Sequence, residues 1–536
     1  MMHRNITLIK KTLMVALIYS MGYLICFIHQ NFFYVNYIHG DAAVMKTLAQ
    51  AIIDSHSLLP KDFYYGNQII FLRSSSFIAL AMLLGFNGLN AFIVGSCLSA
   101  GLWFSLIYFS LKRVLRNKAT SIVCVLSVFI PFGYNDNDFM LGQQSHLAIA
   151  SLTLIFTIFT YLFIKERRNI DLFVVFSSGL LITSELPIRG ALISLPIIIS
   201  TVLSYKNKSS LKIIACSVAS LASGAIVNHY LLKHTGRLQM DLSEGMKILS
   251  LDSDISNIIS ISFSLLKASS SVNFYSGLPV VSIAFAFYSI TILAIILSCV
   301  FFSYSLKEFW VASLKKYSVA YILECNFVTF ISSTAVVALI INILATACFN
   351  PDSSRHIIPA VAIFEVAFTI TSLNILSKLT HKIKALAEIL MVAFFLCTSF
   401  WAGYSLSKNV MYPSITFLPQ NKSLIPLVES AVNNTGIVNL YGTNFWRIMP
   451  FGLLSNDIVT GEISISGNKF FARHWLSRKS AFCQKKDVLY LLFDDSQDDR
   501  KLEIQISKAG GILVYKGHSM NIYKSLPVWK VESSCK

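Results

Sequence analysis

Apolar runs about as long as a membrane-spanning helix recur along the first 405 residues of this sequence. They lie near 12–29, 69–86, 89–111, 119–133, 145–164, 170–185, 188–204, 211–231, 279–304, 322–348, 357–377 and 385–405. A helix needs about 20 residues to cross the hydrocarbon core of a bilayer, and most of these runs approach that length. Only 13% of the 536 residues are charged, whereas soluble domains carry roughly 25%. The pattern predicts a polytopic α-helical membrane protein with about 11–12 transmembrane helices.

Basic residues form six clusters between these runs. The clusters begin at Arg4, Lys112, Lys165, Lys206, Lys307 and Lys378. Because cytoplasmic loops carry the excess of Lys and Arg, we place all six clusters and the N-terminus in the cytoplasm, and the chain after residue 405 outside. The same rule accounts for the net charge of +17, and no long basic patch interleaved with aromatic residues indicates nucleic-acid binding.

The run at 69–86 conflicts with this topology, because it makes three runs between the first two clusters where an even number is required. It is short, and Arg73 lies near its start. We expect a re-entrant or interfacial element on the outer side. The alternative, a full span, would place the four basic residues of 112–118 outside, against the positive-inside rule.

The first outer segment, 41–68, opens with Asp41. Its apolar residues recur at near-helical spacing at Ala42, Val44, Met45, Leu48, Ile52 and Ile53. The opposite face carries Lys46, Gln50 and Asp54. This amphipathic pattern predicts a helix that lies along the membrane interface. Asp41 is placed to act as its N-cap, a role that does not exclude catalysis.

A second polar segment, "YNDNDFMLGQQSH", covers residues 134–146 between two apolar runs. In an extended loop, Asp136 and Asp138 would point to the same side, as oxygen ligands of a divalent cation do. These carboxylates, together with Gln143 and Gln144, could equally hold sugar hydroxyls. The alternative is a solvated turn, which needs polar residues for no other reason than contact with water.

Ionisable residues mark two further outer segments. Glu185 and Arg189 flank a proline in "TSELPIRG", where they either pair as a structural clamp or face a polar cavity. Arg355 opens a late apolar run in "NPDSSRH", followed by His356. Arginine binds phosphate through a bidentate fork, so Arg355 is a candidate phosphate ligand with His356 as a second donor. A snorkelling arginine that anchors the helix end is the alternative.

The composition changes after residue 406, where a predicted outer domain (407–536) follows the membrane domain (1–406) that includes the outer loop 41–68. Strand-length apolar runs occur in "GIVNLYG", "VLYLLFDD", "GILVYKG" and "MNIYKSL", and helix patterns in "NKSLIPLVESAVNN" and "DDRKLEIQISKAG". They predict a small α/β domain. Trp446 and Trp475 lie in aromatic, basic segments and are candidates for stacking on a glycan acceptor. The alternative is that they pack the domain against the membrane.

Three segments together resemble the GT-C superfamily of polyprenyl-phosphate-dependent glycosyltransferases. They are Asp41 with the following helix and "LLPKDFYYGNQ", the acidic segment "YNDNDFMLGQQSH", and "SSRHIIPAVAIFEVA" from Ser353 to Ala367. The last is similar to the R-[YH]-x-x-P segment of that superfamily. The chain length and outer C-terminal domain look most like those of serotype-converting O-antigen glucosyltransferases of the bacterial inner membrane. This resemblance implies a GT-C-like membrane domain and a periplasmic C-terminal domain.

The resemblance also implies the role of Asp41, and the chemistry of the other candidate residues suggests theirs. Asp41 would be the general base of an inverting hexosyl transfer, with a pKa raised by partial desolvation at the membrane edge. The leaving phosphate of the polyprenyl carrier would be bound by Arg355, His356 and Arg73. A sugar or metal site would comprise Asp136, Asp138, Gln143, Gln144, Glu185 and Arg189. Whether a Mg²⁺ or Mn²⁺ ion takes part stays open, and no other cofactor is expected.

Two consequences follow for the C-terminal domain and for the partners. Cys483 and Cys535 are the only cysteines after residue 406, and in the oxidising periplasm we predict that they form a disulfide, which typically contributes about 3–4 kcal/mol. The expected partners are a polyprenyl-phosphate-linked sugar, a surface glycan acceptor such as O-antigen or lipopolysaccharide, and the lipid bilayer. A donor synthase and a donor flippase are implied by the resemblance.

Two other functions fit part of the pattern. A polysaccharide polymerase or ligase that uses undecaprenyl-diphosphate glycans would also carry outer arginines, but such enzymes usually lack a large folded outer domain. A non-enzymatic flippase or transporter for lipid-linked glycans predicts inverted repeats and charges in the middle of helices. In this sequence the charges lie at the outer ends of the runs, which favours the glycosyltransferase.

Overall fold

The computed structural model describes residues 2–66, 68–130, 136–204, 208–235, 327–344, 357–379, 384–407, 424–455, 458–467 and 469–530, with Ser303 and Lys307. The chain divides into two compact units. The first comprises the described residues within Met1–His29, Ser99–Tyr230 and Asp241–Met411, and the second those within Gln30–Leu98, Leu231–Met240 and Tyr412–Lys536. The sequence assigns the outer loop 41–68 to the membrane domain, whereas its contacts group it with the C-terminal residues.

The helices up to residue 407 follow the predicted apolar runs. They are α1 (Met2–Phe32), α2 (Gly40–Ser55), α3 (Ser75–Leu83), α4 (Gly88–Leu115), α5 (Lys118–Phe129), α6 (Leu147–Glu166), α7 (Asn169–Glu185), α8 (Pro187–Ser204), α9 (Lys208–Thr235), α10 (Phe327–Leu344), α11 (Ile358–Leu379) and α12 (Lys384–Ser407). The predicted span 279–304 lies outside the described residues. Among those described, four helices are long and apolar enough to cross a membrane: Leu8–Phe32, Gly88–Leu115, Leu147–Glu166 and Ser209–Thr235. The polytopic α-helical architecture is therefore confirmed.

The predicted run at 69–86 contains only the nine-residue helix α3. At a rise of 1.5 Å per residue it is about 13 Å long, less than half of the roughly 30 Å hydrocarbon core. It packs against α2 within the second unit. Its length agrees with a re-entrant or interfacial element and not with a full span.

Small residues allow α7, α8 and α9 to approach closely in the first unit. A Cβ on Gly190 would lie 2.1 Å from the Thr183 hydroxyl oxygen, and one on Gly224 would lie 2.5 Å from the Thr183 Cβ. A Cβ on Gly179 would lie 2.4 Å from the Ser220 hydroxyl oxygen. Helices in membranes associate through small residues of this kind, because lipid supplies no hydrophobic driving force between them.

Ion pairs join α4, α6 and α7 at helix ends that the sequence places in the cytoplasm. Arg113 contacts the buried carboxylate of Asp171 over 2.7 Å. It also contacts the partly exposed carboxylate of Glu166 over 3.5 Å. Arg168 also contacts Glu166, over 3.2 Å. Part of the basic excess that the sequence assigns to short loops is therefore neutralised by carboxylates of the same unit.

The C-terminal residues form the predicted α/β domain, which is confirmed. Its helices are α13 (Ile425–Thr435), α14 (Phe445–Leu454) and α15 (Gln497–Lys508). Its sheet contains β2 (Asn439–Gly442), β3 (Val459–Ser466), β4 (Lys469–Ala472), β6 (Val488–Phe493), β7 (Ile512–Lys516) and β8 (Met520–Ser525), in the order β4-β3-β2-β6-β8-β7. β2 pairs parallel with both β3 and β6, and the outer pairings are antiparallel. The sequence predicts α13, α15, β2, β6, β7 and β8, but not α14, β3 or β4.

Each face of this sheet is covered by its own apolar core. One core joins Val428 of α13 and Ile448 of α14 to Leu440, Leu489 and Ile522 of the strands. The other core contains Tyr441, Ile463, Leu492, Leu502 and Trp529. Strands that bury both faces read as continuous apolar runs, which explains why "VLYLLF" lacks the alternation of a half-exposed strand.

A short two-stranded sheet links the outer loop to the C-terminal domain. β1 (Phe63–Tyr64) pairs antiparallel with β5 (Ser477–Arg478). The ring of Tyr64 stacks on His474 at 4.4 Å between centroids, and the Lys479 ammonium lies 5.3 Å from the centroid of the same ring. The aromatic segment "KDFYYGNQ", which the sequence assigns to a membrane interface, thus packs on the C-terminal domain in this unit.

Candidate functional site

Asp41 lies in the first turn of α2, and the residue that caps this helix is His39. The backbone amide of Asp41 donates a hydrogen bond of 3.2 Å to Nδ1 of His39. The expectation that Asp41 itself is the N-cap is therefore wrong, because the helix begins one residue earlier, at Gly40. The first turn is the positive end of the helix dipole, a position that favours the ionised form of a carboxylate.

Helix α14 of the C-terminal domain packs on the N-terminal half of α2. A Cβ on Gly40 would lie 2.6 Å from Cε1 of Phe445, so only glycine permits this approach. The adjacent Trp446 meets the His39 ring edge-on at 5.5 Å between centroids. Trp446 remains 40% exposed. A predicted acceptor-binding aromatic side chain is thus brought close to the residue that caps the helix of the predicted base.

Lys46 is buried, although the sequence pattern places it on a polar face of α2. Its side chain is 7% exposed, and Nζ donates a hydrogen bond of 2.9 Å to the carbonyl oxygen of Gly452. Gly452 lies in the last turn of α14, where carbonyl groups have no partner within the helix. Gln50 and Asp54 do lie on the outer face, joined by a bond of 2.8 Å from Gln50 Nε2 to Asp54 Oδ1.

Other carboxylates of the first outer segment are bound by one arginine. Asp62 Oδ2 lies 3.0 Å from Arg478 Nε and 2.9 Å from Nη2. Asp62 also accepts bonds from the backbone amide and the hydroxyl of Ser480, over 2.7 Å and 2.6 Å. Asp54 Oδ2 lies 2.6 Å from Arg478 Nη1. Asp54 and Asp62 are thus structural partners of Arg478.

Trp475 is half-buried and lies beside the outer loop. A Cβ on Gly66 would lie 3.5 Å from its indole, and the guanidinium of Arg473 lies 5.9 Å from the ring. Arg473 also lies 2.6 Å from Glu462. Burial raises the pKa of Glu462, and the Arg473 charge opposes that shift without cancelling it. Trp475 therefore packs within this unit, whereas Trp446 keeps more of its surface open.

The predicted donor-phosphate ligands are described only in part. Arg73 is 5% exposed and lies just before α3, in the same unit as Asp41. Arg355 and His356 lie outside the described residues, so their role stays a prediction. The role of Arg73 as a ligand of the donor phosphate stays a prediction as well.

The described part of the second polar segment begins as a short π-helical segment, Asp136–Gly142, rather than as an extended loop. The placement of the Asp136 and Asp138 carboxylates on one side stays a prediction. Asp138 is 1% exposed, and its Oδ2 accepts a bond of 3.1 Å from Gln143 Nε2. Gln144 is also buried, with Nε2 3.3 Å from the sulfur of Cys26 in α1. The solvated-turn alternative is therefore excluded for residues 138–146.

Glu185 and Arg189 are both buried in the first unit, at the end of α7 and in the first turn of α8. The side-chain amide of Asn228 in α9 donates to the carbonyl oxygens of Ser184 and Glu185, over 2.8 Å and 3.2 Å. These bonds satisfy carbonyl groups at the end of α7. The turn between α7 and α8 is thus a polar, buried connection, as its ionisable residues indicate.

Neither the metal nor the disulfide prediction is settled. Within the described part of the chain, no group of three or more His, Cys, Asp or Glu side chains could hold a metal ion. The side chain of Asp136 is not among those described. Cys483 is disulfide-bonded, while Cys535 lies outside the described residues, so its identity as the partner stays a prediction.

His39 and Lys46 are the site residues that the sequence analysis missed. The cap could have been suspected from the sequence, because a histidine precedes Gly-Asp at the start of the helix pattern. Lys46 could have been suspected because buried small residues, Ala42, Ala43 and Ala49, surround it on the helix.

Comparisons with known proteins show the fold. The chain matches the crystal structure of ArnT from Cupriavidus metallidurans in the apo state with a TM-score of 0.50 at 10% sequence identity, covering 96% of this chain and 98% of that one. The crystal structure of the same protein bound to undecaprenyl phosphate matches with a TM-score of 0.48, at the same identity and coverage. No family model matches the sequence, and neither does any curated protein. The chain thus shares the fold of ArnT, and its C-terminal residues form an α/β domain.

Proposed function

We propose, from the fold shared with ArnT, that this chain is an inner-membrane glycosyltransferase. It transfers a sugar from a polyprenyl-phosphate carrier to a surface glycan on the periplasmic face. The observation that carries the proposal is the setting of Asp41, which opens an outer-loop helix in the second unit beside the exposed indole of Trp446. Asp54 and Asp62, by comparison, are both bound by Arg478.

In the proposed reaction, Asp41 acts as general base. Its carboxylate takes the proton of the acceptor hydroxyl as the oxygen attacks the anomeric carbon of the donor sugar. The new glycosidic bond forms while the bond from the anomeric carbon to the phosphate oxygen breaks, and polyprenyl phosphate leaves with the electron pair. Attack opposite the leaving group inverts the configuration of the anomeric carbon.

The leaving phosphate requires positive charge or hydrogen-bond donors that are in place before the reaction. We assign this role to Arg73 and, from the sequence, to Arg355 and His356. An arginine binds two phosphate oxygens through its planar fork, and burial strengthens the interaction because the local dielectric is low.

The polar residues of the first unit are proposed to bind the donor sugar. Asp138 and Gln143 form a buried hydrogen-bonded pair, and Gln144, Glu185 and Arg189 are buried too. Carboxylates and amides suit sugar hydroxyls, and Asp136 or Asp138 could instead hold Mg²⁺ or Mn²⁺. On the acceptor side, Trp446 offers its open ring face to a saccharide, and the acceptor class is O-antigen or lipopolysaccharide.

The test compares Asp41→Asn with the wild type in transfer assays. Purified full-length protein in liposomes is given a panel of undecaprenyl-phosphate-linked hexoses and lipopolysaccharide as acceptor. We expect transfer by the wild type and a loss of about a hundredfold or more in Asp41→Asn, the upper part of the range for removal of a general base. The matched control is Asp54→Asn at the other end of the same helix, which should retain most activity.

Two results would contradict the proposal. If the wild type transferred no sugar from any lipid-phosphate donor, the proposed class of reaction would be wrong. Full activity in Asp41→Asn would be consistent with the proposed class of reaction but would show that Asp41 is not the general base.

A further inference from the structure

The N-cap of α2 is a histidine, although Ser, Thr, Asp and Asn are the residues preferred at this position. His39 is 4% exposed and has the extended backbone conformation typical of a cap, with φ −135° and ψ −175°. Its carbonyl oxygen accepts the amide of Ala43 over 3.2 Å, and its Nδ1 accepts the amide of Asp41. One imidazole ring therefore determines how the helix that carries Asp41 begins.

This cap works in only one protonation state. A nitrogen that accepts a hydrogen bond must have a free lone pair, so the neutral ring carries its hydrogen on Nε2. Protonation of Nδ1 would convert the acceptor into a donor that faces the Asp41 amide. It would also place a positive charge at the positive end of the helix dipole, which is unfavourable.

Among the described residues, the groups with known contacts to His39, or near it in sequence, come from the turn before α2, from α14 and from α2 itself. The rings of Tyr34 and Tyr37, in the turn before α2, lie 6.4 Å and 5.7 Å from the imidazole centroid, and the indole of Trp446 in α14 lies at 5.5 Å. The charged groups of α2 nearest in sequence are Asp41, in the same turn as the cap, and Lys46, which binds Gly452 of α14.

We propose that His39 is a positioning residue that holds Asp41 in its reactive place only while the imidazole is neutral. Protonation of His39 releases the first turn of α2 and sets a cation beside the Asp41 carboxylate, which weakens that carboxylate as a base. Transfer therefore falls when the pH is low enough to protonate His39. This inference rests on the proposed function of Asp41.

The kinetic test uses two substitutions in the full-length protein. His39→Asn keeps a cap acceptor that does not titrate, and His39→Ala removes the acceptor. At about pH 8, where imidazole is neutral, we expect His39→Asn to retain at least half of the wild-type kcat. His39→Ala should lose about fivefold or more in kcat, with the donor KM changed by less than about twofold.

The pH profile separates positioning from a merely structural role. Between about pH 8 and about pH 5.5, wild-type kcat should fall more steeply than that of His39→Asn, whose acidic limb should begin about one pH unit lower or more. An identical acidic limb in the two proteins would overturn the inference. So would a His39→Ala variant with wild-type kcat.

A second readout does not depend on transfer. Amide hydrogen exchange of the first turn of α2 is measured at both pH values and corrected with an unfolded peptide. We expect the wild type, but not His39→Asn, to lose about fivefold or more of its protection in acid, and His39→Ala to lack protection at both values. Equal protection of the wild type and His39→Asn at both values would overturn the inference. Absence of transfer in the wild type, with the exchange result as expected, would instead contradict only the proposed function.

Discussion

Nζ of Lys46 donates a hydrogen bond to the carbonyl oxygen of Gly452, although 406 residues separate them along the chain. The bond joins the middle of α2 to the last turn of α14, and both residues are buried. A cation at the C-terminal end of a helix also interacts favourably with the helix dipole. The helix that carries Asp41 is thereby held to the helix that carries Trp446.

Lys46→Met should destabilise the protein by about 1–3 kcal/mol, because it leaves the buried Gly452 carbonyl without this donor while nearly preserving side-chain volume. The change is measured as a lower midpoint of thermal unfolding of the full-length chain. Lys501→Met is the matched control, since Lys501 is 57% exposed and surface substitutions usually change stability by less than about 0.5 kcal/mol. Equal midpoints for the two variants would show that the bond contributes nothing.

Trp446→Ala should raise the acceptor KM about tenfold or more and leave the donor KM nearly unchanged, because the exposed indole is proposed to stack on the acceptor saccharide. Trp446→Phe, which keeps an aromatic face, should show a smaller increase. Initial rates at varied acceptor and donor concentrations separate the two constants. Ile504→Ala, at a residue 57% exposed on the same domain, serves as the control. A change in the donor KM alone would show that Trp446 contacts the donor and not the acceptor.

Asp62→Asn should cost more stability than Asp54→Asn. Asp62 binds Arg478 and accepts two bonds from Ser480, so its replacement should cost about 1–3 kcal/mol. Asp54 is 42% exposed and has one ion pair to the same arginine, and its loss should cost less than about 1 kcal/mol. The difference in stability is measured by thermal unfolding. The rate of proteolysis of the outer loop, which pairs with β5, is a second measure. A larger loss of stability in Asp54→Asn than in Asp62→Asn would show that Asp62 is not the main partner of Arg478.

Asp499→Asn should change the pH dependence of stability. Burial raises the pKa of Asp499, and bonds from the Thr443 hydroxyl and the Phe493 amide only partly oppose that shift. The folded state therefore binds this proton more tightly than the unfolded state. The resulting stability is fully present below the ordinary pKa of about 3.9 and is lost as the pH rises through the raised folded value.

Denaturant unfolding of the full-length chain at a series of pH values measures this effect. The fall in unfolding free energy with rising pH should be shallower in Asp499→Asn than in the wild type. Glu462→Gln should reduce the remaining fall, because burial raises the pKa of Glu462 as well. An unchanged slope in both variants would exclude these carboxyls as its source.

Much of the architecture follows from local pattern in the sequence. The apolar runs of α4, α6 and α9 are long enough to cross a bilayer, and the strand-length runs of β6 and β8 lie between turn signals. Helix α14 was not predicted, since "FWRIMPFGLL" contains a proline and lacks a clear polar face. That helix is stabilised by its contacts with α2 and β3, which local pattern does not contain.

The sequence alone determined that this chain spans a membrane, that an acidic residue lies near the start of an amphipathic helix, and that an α/β domain follows, because each depends on the order and period of neighbouring residues. Only the tertiary structure decided that His39 caps α2, that Lys46 is buried against Gly452, and that Arg478 binds Asp54 and Asp62. Except for the cap, these contacts join residues more than 400 positions apart. Burial and the need to satisfy buried polar groups select such pairs, and both depend on how the whole chain packs.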